Sequence, residues 1–506
     1  MQVTPMRRWA ALIALALAVL ATALDMTVLN VALPTLAHDL NANTSVLQWF
    51  ASAYTLTVSA VMLPIGALGD RYGRRKLLLA ALLVFGLASA WCAYSTSSGE
   101  LIAARVALGL GGAAIMPLSM AQMPVLFPNP RERDRAMAVW IAALAVGMPL
   151  GPLLGGWLLE HFWWGSVFII NVPLTVIAIA AVVALVPESR SSTARRLDLL
   201  GTALSSLGLV GVTYGFIRAG EQGWSDPPVT VSLLAGVVFL GLFLVWQRRA
   251  RHALIDLSLF SDNGFRWGTL YSVLNAFAMF GVVFTVPMYF QGVLGTDAFG
   301  SGLRLLPMVA GMLVANGVSE PLKDKLGARR VLLAGFGIST AGMALGAFTT
   351  ASTGYWFTAV WTAVLGVGIG LVMITSMALA LGSLDDERSG VGSALITVLR
   401  NAGMTLGPAV LGTVAMTRYH DRLGALDTEP IRDSVIAGVG VANQAHDGAM
   451  LAQVHSAFTS GMSLLLAICA GICAVSAGLV AITTRRTPPS PVEAGAREAG
   501  VKAGTQ

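Results

Sequence analysis

Charge is scarce in this chain. Only 11% of its 506 residues are Asp, Glu, Lys or Arg, against about 25% in an ordinary soluble domain, which excludes a water-soluble globule of this length. Cysteine is scarcer still, and three residues provide neither a zinc quartet nor a disulfide framework. Cys469 and Cys473, one helical turn apart in an apolar run, read as core packing. His38, His161, His420 and His455 stand alone in outer loops or near span ends and form no ligand cluster. No GxxxxGK[ST] loop occurs, so a nucleotide-driven pump is excluded. Gly109, Gly111 and Gly112 lie inside an apolar run, without the lysine and strand that a phosphate cradle needs. There are no paired acids at useful spacing and no nucleophile with base and orienter, so nothing points to an enzyme.

What the chain has instead is hydrophobicity: 56% of its residues are apolar and its mean hydropathy is +0.73. Runs long enough to cross ~30 Å of hydrocarbon fall near 9–33, 46–68, 77–97, 101–124, 136–159, 164–186, 198–217, 229–247, 266–290, 301–319, 331–350, 355–381, 390–417 and 457–483. These predict an all-α polytopic membrane protein with fourteen transmembrane helices. With the amino terminus inside, the loops of that side hold 25 Lys and Arg against 4 on the other, which predicts two cytoplasmic termini in a plasma membrane. The net charge of +6 is therefore a topology signal, and no nucleic acid partner is expected. The first run, behind Arg7 and Arg8, is about 25 residues long and lacks a cleavage site, so it reads as a retained helix. The last residues, TPPSPVEAGAREAGVKAGTQ, are small and polar and predict a disordered cytoplasmic tail.

Two passages recur at nearly one spacing. GDRYGRRKLLLA from Gly69 aligns with KDKLGARRVLLA from Lys323, an offset of 254, and GMPLGP from Gly147 aligns with GMTLGP from Gly403, an offset of 256. Two related halves are expected, with a substrate path between them that rocking exposes to each side in turn. The expected organisation is a six-helix bundle over 1–190, two inserted helices over 191–252, a second six-helix bundle over 253–486 and the tail over 487–506.

At these motifs the sequence resembles the major facilitator superfamily, in its fourteen-helix drug:proton antiporter branch. LDMTVLNVALP from Leu24 resembles the first-helix signature of that branch, and GALGDRYGRRK from Gly66 the loop signature of the superfamily. RVALGLGGAA from Arg105 resembles the fourth-helix signature, with Leu108 where glutamine is often found. GMPLGPLLGG from Gly147 resembles the fifth-helix antiporter signature, and WGSVFIINVP from Trp164 the start of the sixth helix. The resemblance implies a multidrug efflux pump, driven by the proton gradient and needing no cofactor. Its expected partners are lipophilic small molecules, protons and the bilayer, with no obligate protein partner.

Each motif also has a physical reading. Asp25 lies near the middle of its span, where an ionised carboxylate costs at least ~2.5 kcal/mol, so it needs a partner or a task. Arg105 lies at similar depth, and the two are the proton-coupling candidates. The alternative is a static ion pair that locks two helices. For Asp70 with Arg71, Gly73, Arg74 and Arg75 the resemblance implies a conformational latch, its aspartate touching the helix that begins near Ser389, and a carboxylate near a helix amino terminus is favourable. The alternative is a positive-inside anchor. Gly147, Gly151, Pro152, Gly155 and Gly156 clear one helix face for close approach. Trp49, Tyr54, Met116, Met120, Phe280 and Phe284 are cavity candidates for flat lipophilic cations. Ala278 stands near the second-half equivalent of Asp25, which predicts low proton stoichiometry, and Glu320 near a span end leaves the handling of divalent cations open. An exporter of one self-produced antibiotic would carry the same motifs. A membrane sensor or enzyme would carry an ordered soluble domain or a catalytic constellation, and the sequence offers neither.

Overall fold

The computed structural model describes residues 5–190, 198–250, 255–384 and 386–483. The tail expected over 487–506 lies outside them. Among the described residues every regular element is a helix. The chain runs through α1 Pro5–Asp39, α2 Thr44–Tyr72, α3 Arg74–Ala93, α4 Ser98–Ala121, the short α5 Met123–Leu126, α6 Pro130–His161, the short α7 Ser166–Ile169, α8 Asn171–Leu185, α9 Leu199–Gln222 and α10 Pro227–Arg249. It continues through α11 Asn263–Met288, α12 Ala298–Arg304, α13 Leu306–Leu326, α14 Ala328–Gly346, α15 Tyr355–Leu381, α16 Asp386–Leu406, α17 Gly412–Leu423, α18 Val435–Gln444 and α19 Gly448–Thr483. Eleven helices among the described residues are long and apolar enough to cross a membrane, and α2, bent beside Pro64, makes a twelfth. Each of the fourteen expected runs falls on a helix of this series.

Two regions depart from the sequence expectation. The last expected span opens at 457, whereas α19 begins at Gly448, because Asp447 accepts the backbone N–H groups of Ala449 and Met450 and fixes the first turn there. Between α17 and α19 lies α18, a ten-residue helix capped by the Ser434 hydroxyl, which is too short to register as a span.

The packing is organised by close helix approaches. α1 packs on α6, α8 and α4, and α3 packs on α4 and α8. Correspondingly α11 packs on α15, α16 and α19, and α14 on α15 and α19. The duplicated passages recur as duplicated geometry. Gly73 (φ 121°) turns the chain from α2 into α3, and Gly327 (φ 81°) turns it from α13 into α14, both in the left-handed region that favours glycine. Gly147, Gly151 and Gly155 of α6 lie against Leu20, Ala23, Thr27 and Val28 of α1, so a side chain at any of them would collide with that helix. Gly403 and Gly407 lie in the same way against Val273, Phe277 and Gly281 of α11.

α9 and α10 cross each other at Gly211 and Gly236, and α9 joins the pair to α2 and α17. The outer face of α10 is apolar and open, with Val231, Leu234, Val237 and Val238 each more than half exposed, the surface a helix offers to lipid. The two sequence halves meet at α2 with α16, α6 with α12 and α1 with α11. Ser52 and Thr55 bond to Thr405 across that boundary, and Gln291 donates to the Val31 carbonyl at 3.0 Å.

The α1–α6 contact allows a direct test. Gly151→Leu is expected to destabilise the purified protein by about 1–3 kcal/mol, the usual cost of overpacking, read as a lowered thermal unfolding midpoint in detergent. Gly317→Leu, where a side chain would meet no atom within 4 Å, is expected to leave the midpoint in place.

Candidate functional site

Polar side chains in an apolar helix are first satisfied locally. Along α1, Thr22 donates to the Val19 carbonyl at 2.7 Å and Thr27 to the carbonyls of Ala23 and Leu24. Asn30 donates to the Met26 carbonyl at 3.3 Å. Asp25, an acceptor without a proton of its own when ionised, cannot be satisfied this way. Its partner comes from α4: Arg105 Nη1 donates to Asp25 Oδ2 at 2.7 Å, with Asp25 fully buried and Arg105 2% exposed. The remaining guanidinium surface is also used. Arg105 Nε donates to the Phe50 carbonyl at 3.2 Å, and the guanidinium carbon stands 4.8 Å from the Tyr54 ring centroid and 6.0 Å from that of Phe168.

The glycines of α4 explain how this fits. A side chain at Gly112 would strike the Tyr54 phenol, and one at Gly109 would strike Thr57 and the Tyr54 carbonyl. Gly111 faces the other way, onto Ala81 and Phe85 of α3. The three bring α2 and α3 close enough for Tyr54 to cover the guanidinium. α6 does the same from the far side, since its glycine face lies on the stretch of α1 that carries Asp25.

Asn171, at the first residue of α8, completes the cluster. Its Nδ2 donates to Asp25 Oδ1 at 3.4 Å and to Ser89 Oγ at 3.1 Å, and Ser89 donates to the Phe168 carbonyl at 2.9 Å. Its own Oδ1 is buried and takes no hydrogen bond. An amide with a free acceptor beside a carboxylate can serve both proton states: N–H toward the charged form, C=O toward the O–H of the neutral form. Sequence reasoning quoted Asn171 inside a motif without singling it out. The signal was there, because an asparagine in IINVP is as anomalous in an apolar run as Asp25 is.

The pair lies at the edge of a cavity between the sequence halves. Met26, Asn30, Tyr54, Thr55, Arg105, Phe280, Met404 and Pro408 are among its lining. Of the six expected cavity residues, Tyr54 and Phe280 are in this wall, and Phe284 lines a second cavity with Met288 and Tyr419. The structure places the other three elsewhere. Trp49 packs toward α9, with its ring 6.4 Å from that of Tyr214, because five residues from Tyr54 is the opposite helix face. Met116 packs against the core and Met120 is 37% exposed, and neither lines either of these two cavities.

The loop of the first duplicated passage is held within its own half. Asp70 Oδ1 accepts from Arg74 Nε at 2.9 Å, and Arg74 Nη1 donates to the Ala121 carbonyl at 3.1 Å. Arg75 reaches the Val183 carbonyl, while Arg71 stands 5.4 Å over the Tyr72 ring. The side chains at 386–391, where the latch reading places the contact of Asp70, lie outside the described residues. A residue the sequence reading missed ties this loop down: Glu188, after α8, accepts the backbone N–H groups of Arg75 and Lys76 at 3.1 and 3.3 Å. A carboxylate at the amino end of α3 complements the helix dipole. Its signal was a lone acid facing a basic loop.

With this geometry in hand, the sequence model of the Major Facilitator Superfamily matches residues 15–408. The chain belongs to the major facilitator superfamily. Among its relatives, the tetracenomycin C resistance and export protein of Streptomyces glaucescens is 31% identical over 96% of this chain and 93% of its own length. The multidrug efflux pump LfrA of Mycolicibacterium smegmatis is 30% identical over 96% and 97%. The methylenomycin A resistance protein of Streptomyces coelicolor is 32% identical over 79% and 84%. A bacterial homologue of the human lysosomal transporter Spinster, solved in an inward-facing and unoccupied conformation, shares the fold at a TM-score of 0.66 and 16% identity, covering 96% of this chain and all of that one. The facilitator fold, a polytopic membrane transporter, is thereby established, and its relatives are drug and antibiotic efflux proteins.

The ion pair can be tested by its asymmetry. Arg105→Leu strands a buried carboxylate and is expected to cost about 3–5 kcal/mol, whereas removing both charges in Asp25→Asn with Arg105→Leu should cost less than the single change. Thermal unfolding of the three variants measures it, and a double variant less stable than Arg105→Leu contradicts the pairing.

Proposed function

We propose that this facilitator exports hydrophobic small molecules across the plasma membrane in exchange for protons, with Asp25 as the coupling carboxylate and Arg105 as its modulator. The observation that carries the reading is the placement of a fully buried Asp25 one hydrogen bond behind Arg105, which itself lines the cavity between the halves. A proton reaching Asp25 neutralises it and removes the charge that holds Arg105, so proton occupancy and the contact between α1 and α4 change together. The guanidinium keeps its contact with the Tyr54 ring when the carboxylate is neutral, and Asn171 offers its free carbonyl to the new O–H. No cofactor enters this cycle. The proton gradient supplies the energy, about 2.3 kcal/mol per charge per 100 mV of membrane potential.

The proposed topology has fourteen crossings, two six-helix bundles over 1–190 and 253–486 joined by the inserted pair, and both termini in the cytoplasm. The basic residues in the loops on that side support it. In the cycle, Asp70 and the basic loop act as the latch on that face, with Arg74 holding the aspartate and Glu188 fixing the loop. The sequence expectation of a cationic substrate rested on open aromatic faces. Tyr54 already carries Arg105, and Trp49 lies against Tyr214. The reading therefore keeps a hydrophobic substrate and does not require a positive one. A narrow exporter of one antibiotic is the second reading, favoured by near full-length similarity to a tetracenomycin C export protein.

The test is dye efflux from energised cells. Asp25→Asn is expected to abolish the uncoupler-sensitive part of efflux while the protein still inserts, and full uncoupler-sensitive efflux in that variant defeats the coupling assignment. For the latch, Asp70→Ala is expected to slow turnover and leave dye binding unchanged, measured on purified protein in vesicles.

A further inference from the structure

A second arginine lies within the helices of this transporter, and the coupling scheme leaves it unused. Arg400 stands in the middle of the α16–α17 segment, in the half opposite Asp25. A guanidinium stays charged under all physiological conditions, so inside a membrane it needs an anion. Among the described residues no carboxylate, carbonyl or hydroxyl takes a hydrogen bond from Arg400. The neighbouring helices α11 and α15 contain no Asp or Glu at all. The acids of the other helices that pack on α16 are engaged elsewhere: Asp70 of α2 with Arg74, and Glu221 of α9 with the Asn43 amide.

The register of α16 says where Arg400 faces. Gly403 and Gly407 lie on α11, while Asn401 and Thr405 contact Met62 and Thr55 of α2. Between those two faces is the one that carries Met404 and Pro408, both in the wall of the central cavity. Arg400 is one turn before Met404 on this side of the helix, and its side chain is partly accessible. The same wall carries Arg105, already paired, and the aromatic rings of Tyr54, from the other half, and Phe280, on the adjacent α11.

We propose that Arg400 is the anion-recognition subsite of this cavity, so that the exported compound is a hydrophobic, ring-bearing molecule with a carboxylate, phenolate or sulfonate group. The planar fork of the guanidinium suits such an oxyanion, and the apolar and aromatic wall takes the rest of the molecule. The inference rests on the export reading above and adds the charge of the substrate to it.

The test uses two xanthene dyes of similar skeleton, anionic fluorescein and cationic pyronin Y, with the full-length protein. Equilibrium binding is read by fluorescence anisotropy in phosphatidylcholine nanodiscs, and gradient-driven transport in proteoliposomes. Fluorescein is expected to bind more tightly than pyronin Y. Arg400→Gln is expected to weaken fluorescein binding by about tenfold or more, the loss of one charge-assisted bond, and to leave pyronin Y binding unchanged or improved. Arg400→Lys, which keeps the charge without the fork, should recover part of the loss. The proposal fails if Arg400→Gln leaves fluorescein binding intact, or if it weakens both dyes equally in protein with the wild-type unfolding midpoint. It also fails if adding phosphatidylglycerol displaces fluorescein, which assigns the site to a lipid headgroup. If fluorescein binds through Arg400 but neither dye moves with the proton gradient, the export reading fails and the subsite stands.

Discussion

An ionised carboxylate in the interior of a membrane protein is the constraint around which the first half of this transporter is arranged. Asp25 carries no solvent exposure, and the mutual attraction of Asp25 and Arg105 offsets their desolvation only if geometry is good and the leftover bonding capacity is used. Both conditions are met by separate helices. α4 supplies the guanidinium, α2 a backbone carbonyl and the ring of Tyr54, and α8 the amide of Asn171. Such an arrangement is sensitive to proton occupancy because each partner of the carboxylate donates to it. Neutralising Asp25 turns one acceptor into a donor, and the neighbouring Asn171 amide holds a buried Oδ1 that takes no hydrogen bond.

The glycines are the means by which those helices come near enough. On α4, two glycines admit α2 and one admits α3. On α6, three admit α1 behind Asp25. In a bilayer, where apolar contact with lipid competes with apolar contact between helices, close backbone approach is a main source of association. The motif glycines therefore need not touch substrate to matter for transport. They fix the distance between the carboxylate and its partners, and a shift of the α1–α6 contact would be felt at the ion pair. The duplicated GMTLGP passage repeats the α6 geometry on α11 without a carboxylate there. Packing of this kind is thus separable from the presence of a buried carboxylate.

Much of this was legible in the sequence, for identifiable reasons. The runs of apolar residues located the helices because hydrophobic length is dictated by the bilayer. Asp25 and Arg105 stood out because charge in such runs is rare, and their pairing at 2.7 Å follows from equal depth. Gly73 and Gly327 were visible as a repeat and prove to share a left-handed backbone. What the sequence hid was direction and neutral polarity. Trp49 and Tyr54 look alike in a list of aromatics, and only the helix register separates the face toward α9 from the face toward the cavity. Asn171 and Glu188 act through hydrogen bonds to atoms 146 and 113 residues away, which no local pattern encodes. α18 was missed because its ten residues fall below the length that a search for spans detects.

The charge of the cavity also bears on energetics. If Arg400 is counted with the Asp25–Arg105 pair, the interior carries one net positive charge when Asp25 is ionised and two when it is protonated. A cationic passenger would meet repulsion in both states, and more strongly in the proton-loaded one. An anionic passenger would be attracted in both. The driving force differs as well. One proton in for one monovalent cation out moves no net charge, so only the pH difference drives it. One proton in for one monoanion out moves two charges down a potential that is negative inside, each worth about 2.3 kcal/mol per 100 mV. A single central carboxylate is then enough to power strong export, and the absence of a second acid at Ala278 is not a deficit. The guanidinium of Arg400 and the low proton stoichiometry expected from the sequence are accounted for together by one assumption about the substrate.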